Sequence, residues 1–343
     1  MAGENPKPII EIENLKVHFK MREGVVKAVD GVNLSLMPGE VLGVVGESGS
    51  GKSVTVRTIM QLLPKIASIA DGKVLFNDNG TTTDIAKLAK NSRDMRALRG
   101  GKIGMIFQEP MTALSPVHTI GHQVMTPILL HTGLSKREAE QRAKETLDMV
   151  RLPRIEEMMR SYPHQLSGGM RQRAMIATAL ACRPKVLIAD EPTTALDVTT
   201  EAQILDLLKE LKRELGMSIV FITHNFGVVA DIADRVSVMY LGNVVETGTT
   251  EDIFYDPRHP YTRALLNSIP RLGAEKQPRL NTIPGMIPDP YRLPAGCVFN
   301  PRCSAATDQL CRTTYPGITR INDHRMARCH RVAEAVATES IAP

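Results

Sequence analysis

The sequence predicts an α/β protein built on a parallel sheet. Three observations carry this. A buried strand, a glycine-rich loop and a helix follow one another over residues 41–63. Two further short apolar runs, Val186–Ala189 and Ile219–Thr223, are bounded by polar residues, as central parallel strands are. Between them lies the amphipathic stretch TTEAQILDLLKELKREL with Gly216 at its end, so strand, helix and strand alternate.

The elements follow in chain order. Ile9–Glu13 and Leu15–Phe19 are two short alternating runs. Val41–Val45 is a buried strand by its β-branched content, and the helical pattern Val54–Leu63 is stopped by Pro64. Lys73–Phe76 and Ile103–Phe107 read as short strands. From about Thr112 to Tyr162 the periodicity is helical, with Ser135 and Glu138 forming a capping box. Met111, Met125, Met158 and Met159 read as gap-filling core residues. Val236–Tyr240 and Val244–Glu246 form a hairpin around Gly242-Asn243.

Composition bounds the class. The chain has 343 residues, 43% of them hydrophobic and 23% charged, which excludes a disordered or collagen-like polymer. No apolar run approaches the roughly 18 residues of a membrane span. The start, MAGENPKPII, carries no cationic segment followed by an apolar one, so the expectation is a cytosolic protein. Between Arg258 and Arg331 there are twelve Lys and Arg against four Asp and Glu, with ten prolines from Pro257 to Pro316. This shift places a boundary near Asp256, giving 1–256 as one unit and 257–343 as another. A basic tail could face nucleic acid or anionic lipid, or be a solvated surface whose charge offsets a bound anionic cofactor; the last is the more ordinary reading.

Residues 46–53 read GESGSGKS, a match to G-x-x-x-x-G-K-S/T after a strand and before a helix. Glycines here let backbone N–H groups curl around phosphate oxygens, and the helix N-terminus adds its positive dipole end. Lys52 is expected to reach the β- and γ-phosphates and Ser53 to ligate Mg²⁺. The run KVLIAD ends in Asp190, followed by Glu191. Carboxylates at the end of a central strand suit a water-mediated Mg²⁺ contact for Asp190 and polarisation of the attacking water by Glu191.

Several further motifs resemble those of ABC-transporter ATPases. LSGGM at 166–170 resembles the signature loop, Gln108 in IFQEP the Q-loop, Ala195-Leu196-Asp197 the D-loop and His224 in FITHN the switch histidine. The resemblance covers about residues 8–255. It implies an ATP-binding cassette with an antiparallel β subdomain and a helical subdomain at about 112–165. It implies that Gly46, Ser48, Gly49, Ser50, Gly51, Lys52 and Ser53 cradle ATP, with Val54 offering only its backbone N–H. Phe19 falls where the family stacks an aromatic ring on adenine. Gln108 would touch Mg²⁺ or the water and sense the membrane partner, and His224 would contact the γ-phosphate. Ser167 and Gly169 would act on ATP held by an opposite subunit. That last point has a physical basis, since a helix beginning at Ser167 is a second anion site and one loop alone leaves a γ-phosphate wet. The chain departs from the family at Met170, where Gln is commoner, and at Asn225, where Asp is common.

Cys297, Cys303, Cys311 and Cys329 follow the spacing C-x5-C-x7-C-x17-C. Four thiols so close in a cytosolic chain favour metal over disulfides. The spacing matches neither common zinc ribbons nor ferredoxins, so a 4Fe–4S cluster and Zn²⁺ both stay open, with His324 and His330 as further candidate zinc ligands. Cys182, in an alanine-rich stretch, reads as a buried small hydrophobe.

HPYTRALLNSIPRL, PGMIPDP and the pattern GC…NPRC…C…RCH resemble the C-terminal domain of oligopeptide/dipeptide importer ATPases of the Opp/Dpp D-type. This implies a cluster on the four cysteines and a related F-type ATPase as heterodimer partner. It also implies two transmembrane permease subunits and an extracytoplasmic peptide-binding protein, at the cytoplasmic face of the inner membrane. A metal there would act first as a staple for a tail with little apolar area to bury. The competing class is a soluble ABC ATPase acting on nucleic acid or ribosomes. Against it stand a single cassette, no long coiled-coil insertion, 4% aromatics and no Trp, which leave few stacking platforms. A third reading keeps the fold and changes the cargo to nickel chelates, glutathione or antimicrobial peptides.

Overall fold

In the computed structural model the described residues are 7–109, 113–194, 196–269, 282–306 and 309–339. Met111 and Ala195 lie outside them. Two sheets organise the chain. The smaller is antiparallel, with strands β1 (Ile10–Lys20), β2 (Val25–Leu36), β4 (Ala67–Asp78) and β5 (Thr81–Asp84) in the order β2-β1-β4-β5. The two runs expected at the N-terminus are one strand. Register shifts between Ile12 and Lys16, with Asn14 at φ 47°, interrupt the alternation without ending the pairing.

The larger sheet has eight strands in the order β11 (Thr319–Arg320), β12 (Met326–Ala327), β10 (Asn243–Thr249), β9 (Arg235–Tyr240), β3 (Val41–Val45), β8 (Ser218–Ile222), β7 (Val186–Asp190) and β6 (Ile103–Ile106). Its parallel centre comprises β3 (Val41–Val45), β6 (Ile103–Ile106), β7 (Val186–Asp190), β8 (Ser218–Ile222) and β9 (Arg235–Tyr240). Strands β3, β6, β7 and β8 are buried at every residue, which is why they read as continuous apolar runs rather than alternating ones. β10 (Asn243–Thr249) returns antiparallel to β9, closing the expected hairpin.

Helix α1 (Lys52–Ile59) follows the glycine-rich loop and stops short of Leu63, because the chain turns at Met60 and Gln61 takes φ 51°. After the short α2 (Arg93–Leu98) come three helices, α3 (Ile120–His131), α4 (Lys136–Met149) and α5 (Ile155–Arg160). Ser135 and Glu138 cap α4 reciprocally. Met158 is buried and Met125 and Met159 pack partly buried against the same core. Helix α6 (Gly168–Leu180) leads into β7, and α7 (Val198–Leu215) buries Ile204, Leu205, Leu207, Leu208 and Leu211 on one face. Gly216 ends α7 at φ 62°, the left-handed stop that glycine supplies without strain. Cys182 sits just beyond α6, half-buried, and burial pushes its thiol up to about 11.

The composition shift near Asp256 is not a break in the sheet. After α8 (Phe226–Ile232), α9 (Thr250–Tyr255) and α10 (Pro260–Asn267), the tail contributes β11 (Thr319–Arg320) and β12 (Met326–Ala327). β12 pairs with β10, Glu246 opposite Ala327, and so extends the central sheet. Tyr261 and Phe299 pack on Tyr240 of β9 with ring centroids 4.6 and 5.2 Å away. Beneath them Arg325, 4% exposed, lies 3.4 Å from the fully buried Glu246 carboxylate and 3.0 Å from Asp256. The backbone N–H groups of Arg258 and His259 donate to that same Glu246 carboxylate, at 2.7 and 2.9 Å. The short α11 (Gln309–Thr313) and the final α12 (His330–Glu339) complete the tail.

Candidate functional site

The loop between β3 and α1 is shaped by its glycines. A Cβ on Gly46, at φ 150°, would stand 2.1 Å from the Met239 carbonyl. One on Gly51, at φ 100°, would stand 2.5 Å from that of Ala28. Only glycine lets the loop lie this close to β2 and β9. Lys52, buried, donates through Nζ to the carbonyls of Gly46 (2.7 Å) and Glu47 (3.0 Å), with Ser50 Oγ at 3.5 Å. Burial lowers its pKa, and the carboxylates of Glu191, Asp190 and Glu47 pull the other way.

Ser53 and Asp190 meet directly. The Ser53 hydroxyl donates to Asp190 Oδ1 at 2.8 Å. The other oxygen of this fully buried carboxylate is 3.3 Å from Arg57 Nη2. Arg57 was not singled out from sequence. Its spacing of four from Ser53 on α1, which places both on one face, was the available signal.

Glu191 is the convergence point. It takes φ 49°, a left-handed conformation that costs a non-glycine residue of order 1–3 kcal/mol. Its N–H donates to the Ile222 carbonyl at 3.0 Å, which ties the end of β7 to β8. The Gln108 amide donates to Glu191 Oε2 at 3.0 Å, and the Thr194 hydroxyl donates to the same oxygen at 3.0 Å. His224 Nδ1 lies 3.4 Å from Oε1, its side chain 62% exposed. Residues 108, 191 and 224 are thus one cluster, and Thr194 is a member that sequence reasoning missed.

The remaining sequence candidates lie apart. Ser167 is exposed and caps α6, its hydroxyl accepting from the Met170 N–H at 3.4 Å. A Cβ on Gly169 would meet Thr200 of α7 at 3.1 Å. Among the described residues neither hydrogen-bonds to the glycine-rich loop. Asp197, of the D-loop motif, caps α7 by accepting from Thr200. Phe19 sits near the end of β1, opposite Val26 and Ala67, partly buried against the core. Asn225 caps α8 by accepting from the Gly227 N–H.

The four tail cysteines line one pocket with His259, Phe299 and His330. Cys311 and Cys329 are buried, Cys297 and Cys303 half-buried. Burial pushes the Cys297 thiol up to about 11 and raises that of Cys303. Among the described residues no three His, Cys, Asp or Glu side chains group closely enough to hold a single metal ion. His324 is not among the residues lining the pocket.

A phosphate loop, a strand-end Asp-Glu pair and a histidine after the next strand, all on one parallel sheet, define a nucleotide-hydrolysing cassette. Residues 29–194 match the ABC transporter family model, and residues 245–311 match that of the oligopeptide/dipeptide transporter C-terminal region. The oligopeptide transport ATP-binding protein AppD of Bacillus subtilis is 48% identical over 333 residues, covering 97% of this chain and 99% of its own. The dipeptide transport ATP-binding protein DppD of Escherichia coli is 46% identical over 322 residues, covering 94% and 96%. Among solved structures, the dimeric bacterial ABC transporter cassette MJ0796 superposes with a TM-score of 0.61 at 32% identity, covering 70% of this chain and 98% of its own. The chain belongs to the ABC transporter ATPase family and carries its oligopeptide/dipeptide transporter C-terminal region. It is an ATPase. Among the described residues no helix is long and apolar enough to cross a membrane.

Proposed function

We propose that this chain powers the import of di- or oligopeptides by hydrolysing ATP while docked on separate transmembrane permease subunits fed by an extracytoplasmic peptide-binding protein. The observation that carries the reading is the convergence of Gln108, Thr194 and His224 on Glu191, one residue from the Asp190–Ser53 contact. A carboxylate held by two donors and an imidazole is oriented to accept a proton from water. Lys52 and the loop N–H groups bind the phosphates, and His224, mostly exposed, reaches the terminal one. Ser53 and Gln108 would hold Mg²⁺, with Asp190 behind Ser53; the ion supplies charge neutralisation at the phosphates.

Ser167 and Gly169 are free of the loop in their own chain, which suits action on ATP bound by a second ATPase subunit. A related F-type chain is the partner we favour, at the cytoplasmic face of the inner membrane. Residues 1–256 act as the catalytic unit, with the helices at about 112–165 as its arm, and 257–343 as the cysteine-bearing unit. The names of AppD and DppD support peptides as cargo.

The four cysteines hold a 4Fe–4S cluster in this reading. They line one pocket together, which supports a common bound group; a 4Fe–4S cluster is the reading favoured and Zn²⁺ the alternative. Iron, sulfide and zinc assays after anaerobic purification decide between the two. For transport itself, the test is peptide uptake in cells lacking the chain. Loss of growth on peptides as sole amino-acid source, restored by the wild type and not by Lys52→Ala, is expected. Normal uptake without the chain would refute the reading.

A further inference from the structure

The tail reaches the phosphate loop through one side chain. Arg302 ends the short 3-10 turn Asn300–Arg302, between Cys297 and Cys303. Its guanidinium grips Glu47 with two prongs, Nη1 to Oε2 at 2.7 Å and Nη2 to Oε1 at 3.0 Å. The Arg302 side chain is 4% exposed, and Nε donates to the Pro284 carbonyl at 3.3 Å while Nη1 lies 3.4 Å from the Tyr240 hydroxyl. The pairing with Glu47 and the Tyr240 hydroxyl pushes its pKa higher still, so it is a permanent cation.

Glu47 is the second residue of the phosphate loop. Its carbonyl accepts from Lys52 Nζ at 3.0 Å, and its N–H donates to the hydroxyl of Tyr261 in α10 at 3.0 Å. One loop residue is therefore fixed three ways, once by the loop lysine and twice by residues beyond position 256. Its carboxylate is also the wrong charge for its place. Between Gly46 and Ser53 the charged residues are Glu47 and Lys52, and a triphosphate bound there would be repelled by the first.

We propose that Arg302 is a positioning residue for ATP. It cancels the Glu47 carboxylate and locks the first bend of the phosphate loop, so that the triphosphate meets only the charge of Lys52. The inference rests on that loop being the ATP site. It makes an asymmetric prediction. Removing the arginine strands an anion beside the phosphates, whereas neutralising the glutamate removes the anion itself. Loss of Arg302 is then the more damaging change, and loss of the Glu47 charge repairs it.

The experiment measures KM for ATP and kcat on the full-length chain in its assembled transporter, for the wild type, E47Q, R302M and the double variant. R302M is expected to raise KM at least tenfold with kcat at saturating ATP within threefold of wild type. E47Q/R302M is expected to recover at least threefold of the KM lost in R302M, with E47Q alone as the reference for losing the fork. If R302M does not accumulate, R302K, which keeps the charge and loses the fork, is expected to show a smaller KM rise that E47Q likewise reverses. An unchanged KM in both arginine variants, or a double variant as impaired as R302M, overturns the proposal, since an arginine that merely docks the tail gives no rescue. K52A is the separate control: if it still saturates with ATP normally, the loop assignment fails rather than the role of Arg302.

Discussion

The nucleotide face and the cysteine-bearing tail are held by opposite means. Around Glu191 the partners are exposed, Gln108 and His224 both facing solvent, while Lys52 and Asp190 lie buried beneath. In the tail, two arginines are buried and paired. Arg325 and Arg302 are both 4% exposed and each meets a carboxylate of the first 256 residues. An exposed cluster can rearrange when substrate arrives at little cost, because water substitutes for lost contacts. A buried ion pair cannot, because breaking it leaves an uncompensated charge. The difference teaches that the face is built to change partners and the tail to stay in place.

Glu191→Gln tests that comparison hardest. The amide keeps the size of the side chain and loses the base, so ATPase turnover should fall by about 10²–10⁴-fold while ATP still binds. Turnover and nucleotide affinity measured together decide it; undiminished turnover would remove Glu191 from the chemistry. Arg325→Met tests the other region. It strands Glu246 in the interior and should cost about 3–5 kcal/mol, read as a lower midpoint in denaturant. A loss near zero would show that the tail is not anchored by charge.

The last test, read as a modest slope at each pH, sharpens the picture through acid. His259 is almost fully buried and burial pushes its pKa down to about 3, while its Nδ1 accepts from the Tyr261 N–H as the cap of α10. The unfolded chain takes up a proton at about 6.5 and the folded one does not. Stability is therefore intact above that pH and declines by up to about 1.4 kcal/mol per unit as pH falls from 6.5 toward 3. His259→Asn, which keeps a capping group and removes the titration, should flatten the denaturation midpoint across that window. An unchanged slope would assign the acid sensitivity elsewhere.

What could be read from the chain follows from how local each signal was. β3, β7 and β8 are buried along their whole length, and short β-branched runs announce that. The glycine-rich loop, the Asp190-Glu191 pair and the α4 capping box are likewise written within a few consecutive residues. β1 was harder, because a bulge near Asn14 resets the alternation and one strand reads as two. The partners of the site lay further off. Arg57 reaches Asp190 across 133 residues and Arg302 reaches Glu47 across 255, and no periodicity encodes a contact of that range. The composition shift at Asp256 was real, yet it hid the fact that β12 completes the sheet begun by the first half of the chain.

That last pairing bears on how such a protein could be re-engineered. Because Ala327 and Met326 zip onto β10, a chain cut short near residue 256 would leave a raw sheet edge at β10, open to strand addition from any neighbouring molecule. Transplanting this motor into a different importer would mean moving the segment beyond that point as well, or supplying a substitute border strand.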